Sequence, residues 1–168
     1  MNAEDLASKL EPHLPDAIVA RGEVTTLAAA DKLIGALEML RDDPEFAFDT
    51  LSDIAATDWP DRDPRFWVAY ELYSMRHRHR LRVKVGLPES KPHVPTVCDL
   101  YPTANWLERE IYDLFGLFFD GHPNMTRILL PNDWEGHPQR KTEDLGGVNT
   151  PYKNGKFIPP VDQRLSSR

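Results

Sequence analysis

Apolar and polar residues change period several times along this chain, and each change predicts an element. Leu6 and Leu10 share one face of a short helix that Asn2 can cap and that ends before Pro12 and Pro15. Asp16 to Leu27 reads as extended chain broken at Arg21-Gly22. Leu33, Ile34, Leu37 and Leu40 recur at helical spacing and predict a helix over 31–41, stopped by Asp42-Asp43-Pro44. Phe46 to Ile54 is apolar and predicts a strand, and Asp58 to Pro64 predicts a loop. Phe66 to Ser74 is rich in aromatics. Leu81, Val83 and Val85 then alternate with Arg80, Arg82 and Lys84, the period of a half-buried strand. The short link between these two strands predicts an antiparallel hairpin, and Pro88 to Pro95 a proline-rich connection.

The stretch WLEREIYDLFGLFFDGHP, Trp106 to Pro123, carries the densest mixture of charge and aromatic residues. Thr103 or Asn105 can cap a helix here, and Gly116 suits the position just past its end. Leu107, Ile111, Leu114 and Phe115 form one apolar stripe. Glu108 and Glu110 fall at its borders, where a half-desolvated carboxylate needs a donor. Arg109 and Asp113 stand one turn apart, face outward and can pair with each other. Three readings follow: a solvated helix face with one internal ion pair, a face that meets another protein, or a catalytic pair of carboxylates. No histidine or nucleophile stands at helical spacing from these carboxylates, which disfavours the third.

The predicted class is therefore α+β, a mostly antiparallel sheet packed with helices. A compact domain is expected over 1–116 and an extended, irregular, partner-binding tail over 117–168. Hydrophobic residues make up 40% of the 168, enough for a core, and the formal charge of −7 argues against nucleic acid. No apolar run approaches the ~18–20 residues of a membrane span, and MNAEDLASKL lacks the apolar centre of a signal peptide. One cysteine, Cys98, excludes an internal disulfide, suggests a reducing compartment, and excludes a self-contained iron–sulfur cluster. Neither a GxGxxG nor a GxxxxGK[ST] nucleotide loop is present.

Downstream stand two Gly-His-Pro turns, Gly121-His122-Pro123 and Gly136-His137-Pro138. Their histidines lie far apart in irregular chain, which favours structural turns over a metal pair. A stand-alone metal hydrolase built on His122, His137, Glu110 and Asp113 is the remote alternative. Arg76 to Arg80 reads as a basic patch, solvated or facing a partner, and Cys98 as a small apolar residue rather than a reactive thiol.

Ala104 to Gly116, ANWLEREIYDLFG, followed by Gly121 to Lys141, GHPNMTRILLPNDWEGHPQRK, resembles the 30-kDa-type subunit of respiratory complex I, the C subunit of the bacterial proton-translocating NADH:quinone oxidoreductases. Trp106, Glu108, Arg109, Glu110, Asp113, Phe115, Gly116, His122, Pro123, Arg127, Gly136, His137, Pro138, Arg140 and Lys141 carry the resemblance. Thr126 departs from it, since the family commonly places a second basic residue there. The resemblance implies a subunit without catalytic, cofactor or metal residues of its own, packed against the 49-kDa-type subunit in the hydrophilic arm. FMN and iron–sulfur clusters would lie in partner subunits, and the complex would sit on the cytoplasmic face of the bacterial plasma membrane. The same helix also fits the equivalent subunit of a membrane-bound nickel–iron hydrogenase or a ferredoxin- or deazaflavin-linked complex.

Overall fold

The computed structural model describes residues 2–132 and 134–143, together with the backbone of 152–153 and 156–157. Helix α1 (Ala3–Leu10) begins where the Asn2 side chain accepts the Asp5 N–H at 2.7 Å, and it turns Leu6 and Leu10 inward. Strands β1 (Ile18–Ala20) and β2 (Glu23–Leu27) form a hairpin across Arg21-Gly22, both at positive φ. Helix α2 (Leu33–Asp42) buries Leu33, Leu37 and Leu40, as its spacing predicts. Strands β3 (Thr50–Asp58), β4 (Phe66–Ser74) and β5 (His79–Leu87) follow. The last two alternate strictly, with Phe66, Val68, Tyr70 and Leu72 facing Leu87, Val85, Val83 and Leu81 across the antiparallel ladder.

The five-stranded sheet has the order β1-β2-β5-β4-β3 and is antiparallel except where β2 runs parallel to β5. Helix α1 lies against β1 and β2. Helix α3 (Ala104–Phe115) lies against β3, the other edge of the sheet. The class is α+β, as predicted.

Two expectations are corrected. Phe46 to Ile54 is not one strand, because β3 starts only at Thr50. Phe46 and Ala47 donate their N–H to the Asp43 carbonyl, Ala47 takes a positive φ of 47°, and Phe48 N–H bonds Leu40 O. Both phenylalanines enter the core from a turn, so apolarity alone misreads them. The chain near Pro88 to Pro95 and after Gly116 is also less irregular than expected. Strand β6 (His93–Pro95) pairs in parallel with β7 (Phe118–Asp120), and Leu117 and Phe119 are buried.

Residues 117–132 and 134–143 lie back on the compact part through contacts that run from Phe119 to Lys141. The expected partner-binding tail continues to 168. Of it, residues 133, 144–151, 154–155 and 158–168 lie outside the described residues.

Candidate functional site

Helix α3 presents one fully buried row, Ala104, Glu108 and Ile111, so the inward face passes through a carboxylate rather than beside it. The sequence places Glu108 at the border of the stripe. Instead its side chain enters the interior and reaches the turn after β6. There it accepts hydrogen bonds from Thr96 Oγ1 at 2.5 Å and Val97 N–H at 2.8 Å, with Cys98 Sγ at 3.5 Å. Burial raises its pKa, and the donors from Thr96, Val97 and Cys98 only partly oppose that.

The helix spends none of its charge on the expected Arg109–Asp113 pair. Asp113 is fully buried, and it holds the segment 127–130. Its Oδ2 accepts the N–H groups of Ile128, Leu129 and Leu130 at 3.0, 2.8 and 2.8 Å. Its Oδ1 takes Arg127 Nη1 at 2.7 Å. Burial pushes the Asp113 carboxyl up, but the Leu130 N–H, the Arg127 guanidinium and the other two N–H groups outweigh it and hold the pKa below the usual range. Arg109 turns to the same segment and donates to the carbonyls of Thr126 and Arg127 at 3.0 and 3.1 Å. The physical reason for the correction is competition. A row of backbone donors and a cation from the folded-back chain solvate Asp113 better than one exposed guanidinium on the same helix would.

The C-terminal carbonyls of α3, which lack partners inside the helix, are met by the second Gly-His-Pro turn. His137 Nδ1 donates to Asp113 O at 3.0 Å, Gln139 N–H to Leu114 O at 3.0 Å, and Arg140 Nε to Phe115 O at 2.6 Å. Arg140 also reaches Gly116 O, placing a cation at the negative end of the helix. Gly116 stands at φ 68°, and a Cβ there would meet His137 Cδ2 at 2.5 Å, so the left-handed turn and the close approach both call for glycine. Gly136 carries φ 81° and gives its carbonyl to Arg127 Nη2. Lys141 closes the run, its N–H bonding Asp58 Oδ2 at 2.8 Å. Pro123 and Pro138 are exposed beside these turns. Together these bonds make a clasp, in which residues 126–130 and 136–141 grip the outer face and the end of α3.

Asp58 is the residue that sequence reasoning misses, because it opens a stretch that reads only as a loop. It forms a two-pronged pair with Arg65, Nε to Oδ1 at 2.7 Å and Nη2 to Oδ2 at 2.9 Å, with side chains 0% and 7% exposed. Arg65 hydrogen bonding lowers the Asp58 pKa, against the opposing effect of burial.

The first Gly-His-Pro turn is tied separately. His122 Nε2 donates to Asn105 O at 3.1 Å, and its Nδ1 accepts the Asn124 N–H at 3.0 Å. The four-residue metal set of the hydrolase alternative is therefore dispersed. His137 binds a helix carbonyl, Asp113 a loop, and Glu110 is exposed beside Ile54 and Leu114. Of the basic run, His79 is buried with its Nε2 at Phe46 O, which departs from a solvated patch.

Two large apolar side chains stand exposed outside the clasp. Trp106 is 61% exposed, with the Arg109 guanidinium 5.2 Å from its ring centre, and Leu129 is 59% exposed on the segment that Asp113 holds. Glu108, Arg109, Asp113, Arg127, His137 and Arg140 all find partners within the chain. They can set the shape of a surface.

Because the Glu108 pKa is raised, the folded form holds a proton that the unfolded chain has released. Stability is therefore fully present below the unfolded carboxyl value of 4.5 and declines as pH rises through the window up to the folded pKa. Glu108→Gln is expected to flatten that decline. Urea denaturation of both proteins at several pH values checks it, and parallel slopes for the two would contradict it.

The chain belongs to the family of the respiratory-chain NADH dehydrogenase 30 Kd subunit, whose pattern matches residues 26–149. It is 44% identical over 158 residues to the C subunit of the NADH-quinone oxidoreductase of Nocardioides sp., covering 94% of this chain and 63% of that one. It is 48% identical to the protein of the same name from Saccharopolyspora erythraea, covering 87% and 59%. The chain thus spans about three fifths of the length of these two relatives. Among solved structures, a trypsin-resistant fragment of Nqo5 shares 32% identity at a TM-score of 0.60, over 72% of this chain and 97% of that one. A chain of a membrane-bound sulfane sulfur reductase, an archaeal respiratory membrane complex, shares 25% identity at a TM-score of 0.74, over 92% and 98%. No helix among the described residues is long and apolar enough to cross a membrane.

Proposed function

We propose that this chain is a non-catalytic structural subunit of a proton-translocating NADH:quinone oxidoreductase. It holds the quinone-reducing module in register while electrons pass from NADH through FMN and iron–sulfur clusters in other subunits. Its partner is the 49-kDa-type subunit, in the peripheral arm on the cytoplasmic face of the membrane. The observation that carries this reading is the clasp. Glu108, Arg109, Asp113, Arg127, His137 and Arg140 all bond to other parts of the same chain, which supports a rigid shape rather than chemistry. Trp106 and Leu129, set in place by that clasp, supply large apolar side chains of the kind that anchor interfaces.

Tagged full-length chain is expected to co-purify with a 49-kDa-type homologue and NADH-binding flavoprotein subunits. Co-purification with hydrogenase subunits, or with those of a complex like the sulfane sulfur reductase, would favour the equivalent subunit of such a complex. The isolated chain is expected to be colourless. Stoichiometric flavin or iron–sulfur absorption in it would overturn the assignment of the redox groups to partners.

Truncation separates the fold from the remainder of the chain. Ending the chain after Glu143 is expected to leave the melting temperature nearly unchanged. Ending it after Asn132 removes His137, Gln139, Arg140 and the Lys141 N–H bond to Asp58, and is expected to lower it clearly. Equal melting temperatures for the two truncations would show that the 134–143 contacts contribute nothing to stability.

A further inference from the structure

We propose that Cys98, Glu108 and His122 form a binding site for a borderline-soft divalent cation, with Zn2+ the best chemical fit. A thiol sulfur, a carboxylate oxygen and an imidazole nitrogen, one from each residue, lie within 4.8 Å of one another. Sulfur, nitrogen and oxygen donors together are the set that suits Zn2+, and three protein ligands plus water complete a tetrahedron. The three arrive from separate elements: the turn after β6, the second turn of α3, and the turn after β7. A cation there would pin all three. Cys98 and His122 are each partly exposed, which leaves a way in, whereas Glu108 is fully buried.

A second observation, independent of the spacing, points to a cation. The described part of the chain buries three carboxylates completely or nearly so. Asp58 faces Arg65 and Asp113 faces Arg127, each at 2.7 Å. Among the described residues no arginine or lysine lies within salt-bridge distance of Glu108. Its partners there are a hydroxyl, an amide and a thiol, with the His122 imidazole close by. A buried carboxylate without a positive partner is costly unless it takes a proton or a metal ion. The groups gathered around this one are zinc ligands.

On binding, the Cys98 thiol proton leaves to solvent, as does the Glu108 carboxyl proton when it is present, and no electron moves. A thiol ligates only as the thiolate, so the metal displaces its proton and affinity rises with pH. His122 exchanges one of its two present hydrogen bonds for the metal. Binding through Nδ1 gives up the Asn124 N–H and keeps the proton on Nε2, whose bond to the Asn105 carbonyl still orients the ring.

The test is titration of the full, tag-free chain with Zn2+ by calorimetry and with Co2+ by absorption. The expected result is one saturable site with a Kd of about 1 µM or tighter. Cobalt should give a thiolate-to-metal charge-transfer band that is absent in Cys98→Ser. His122→Gln and Glu108→Gln should each weaken binding by roughly 10-fold or more. Melting curves without metal identify any variant that fails to fold, and the wild-type cobalt band then decides alone. Absence of saturable binding to the wild-type chain would overturn the proposal and leave a proton as the partner of Glu108. Tight binding undiminished in Cys98→Ser, with no thiolate band in the wild type, would place the ion elsewhere.

Discussion

Replacing Asp113 with alanine lowers the unfolding free energy by about 3–5 kcal/mol, the scale for removing one partner of a buried, hydrogen-bonded charge pair. The substitution strips the acceptor from three consecutive N–H groups and leaves Arg127, whose side chain is 15% exposed, without its carboxylate. Asp113→Asn keeps the shape and one acceptor oxygen, but it turns an amide donor or a neutral oxygen toward a guanidinium. Its expected cost is about 1.5–3 kcal/mol, the range for a hydrogen bond to a charged group. At roughly 2–4 °C per kcal/mol for a chain of this size, the alanine variant melts about 6–20 °C lower. Urea denaturation measures the free energies. Equal stabilities for wild type and Asp113→Ala would mean that the 127–130 segment is not held by this carboxylate.

Arg65→Met carries the second large effect, again about 3–5 kcal/mol. Asp58, at 0% side-chain exposure, would keep only the Lys141 N–H as a hydrogen-bond donor and would lose its ion-pair partner, with Arg140 the remaining cation whose charge reaches it. Arg65 also packs over Phe66, with its guanidinium carbon 4.9 Å from the ring centre, and methionine replaces only part of that contact. Adding Asp58→Asn is expected to recover part of the loss, because the orphaned charge is then gone. The acid limb adds a second readout. The folded pKa values of Asp58 and Asp113 lie below 3.8, so their contribution is present above that pH and is lost as pH falls through the folded values. In Arg65→Met the Asp58 share of that acid loss disappears and the curve below pH 3.8 becomes shallower. A double variant no more stable than the single one would show that the orphaned Asp58 charge is not the source of the loss.

What can be read along the chain, and what cannot, divides by the range of the interaction. Strand β4 is legible to the residue and the exposed–buried alternation of β5 is plain, since period-2 patterning is local. So is helix α3 with Gly116 at its end, because helix spacing and a left-handed cap are both written within one turn of sequence. Family resemblance then singles out charged residues without their partners. Asp113 bonds to residues 14–17 positions away in chain with no period, and Asp58 to a backbone N–H 83 positions away. Local reasoning gives Asp113 the nearest opposite charge, Arg109, which is the best choice when only one helix is in view. Glu108 falls at the stripe's border because a carboxylate counts as polar. Its donors, Thr96, Val97 and Cys98, belong to a turn whose approach depends on the β6–β7 pairing. A three-residue parallel ladder has no sequence signature of its own.

The central claim is that the charged helix shapes a scaffold and does no chemistry. Asp113→Asn in the intact complex tests it most directly, with complex abundance and quinone reductase rate measured in the same membranes. A weakened clasp predicts fewer assembled complexes, each turning over at a near-normal rate. Full abundance with turnover per complex reduced by about 100-fold or more, the scale of a lost general acid or base, would contradict the account.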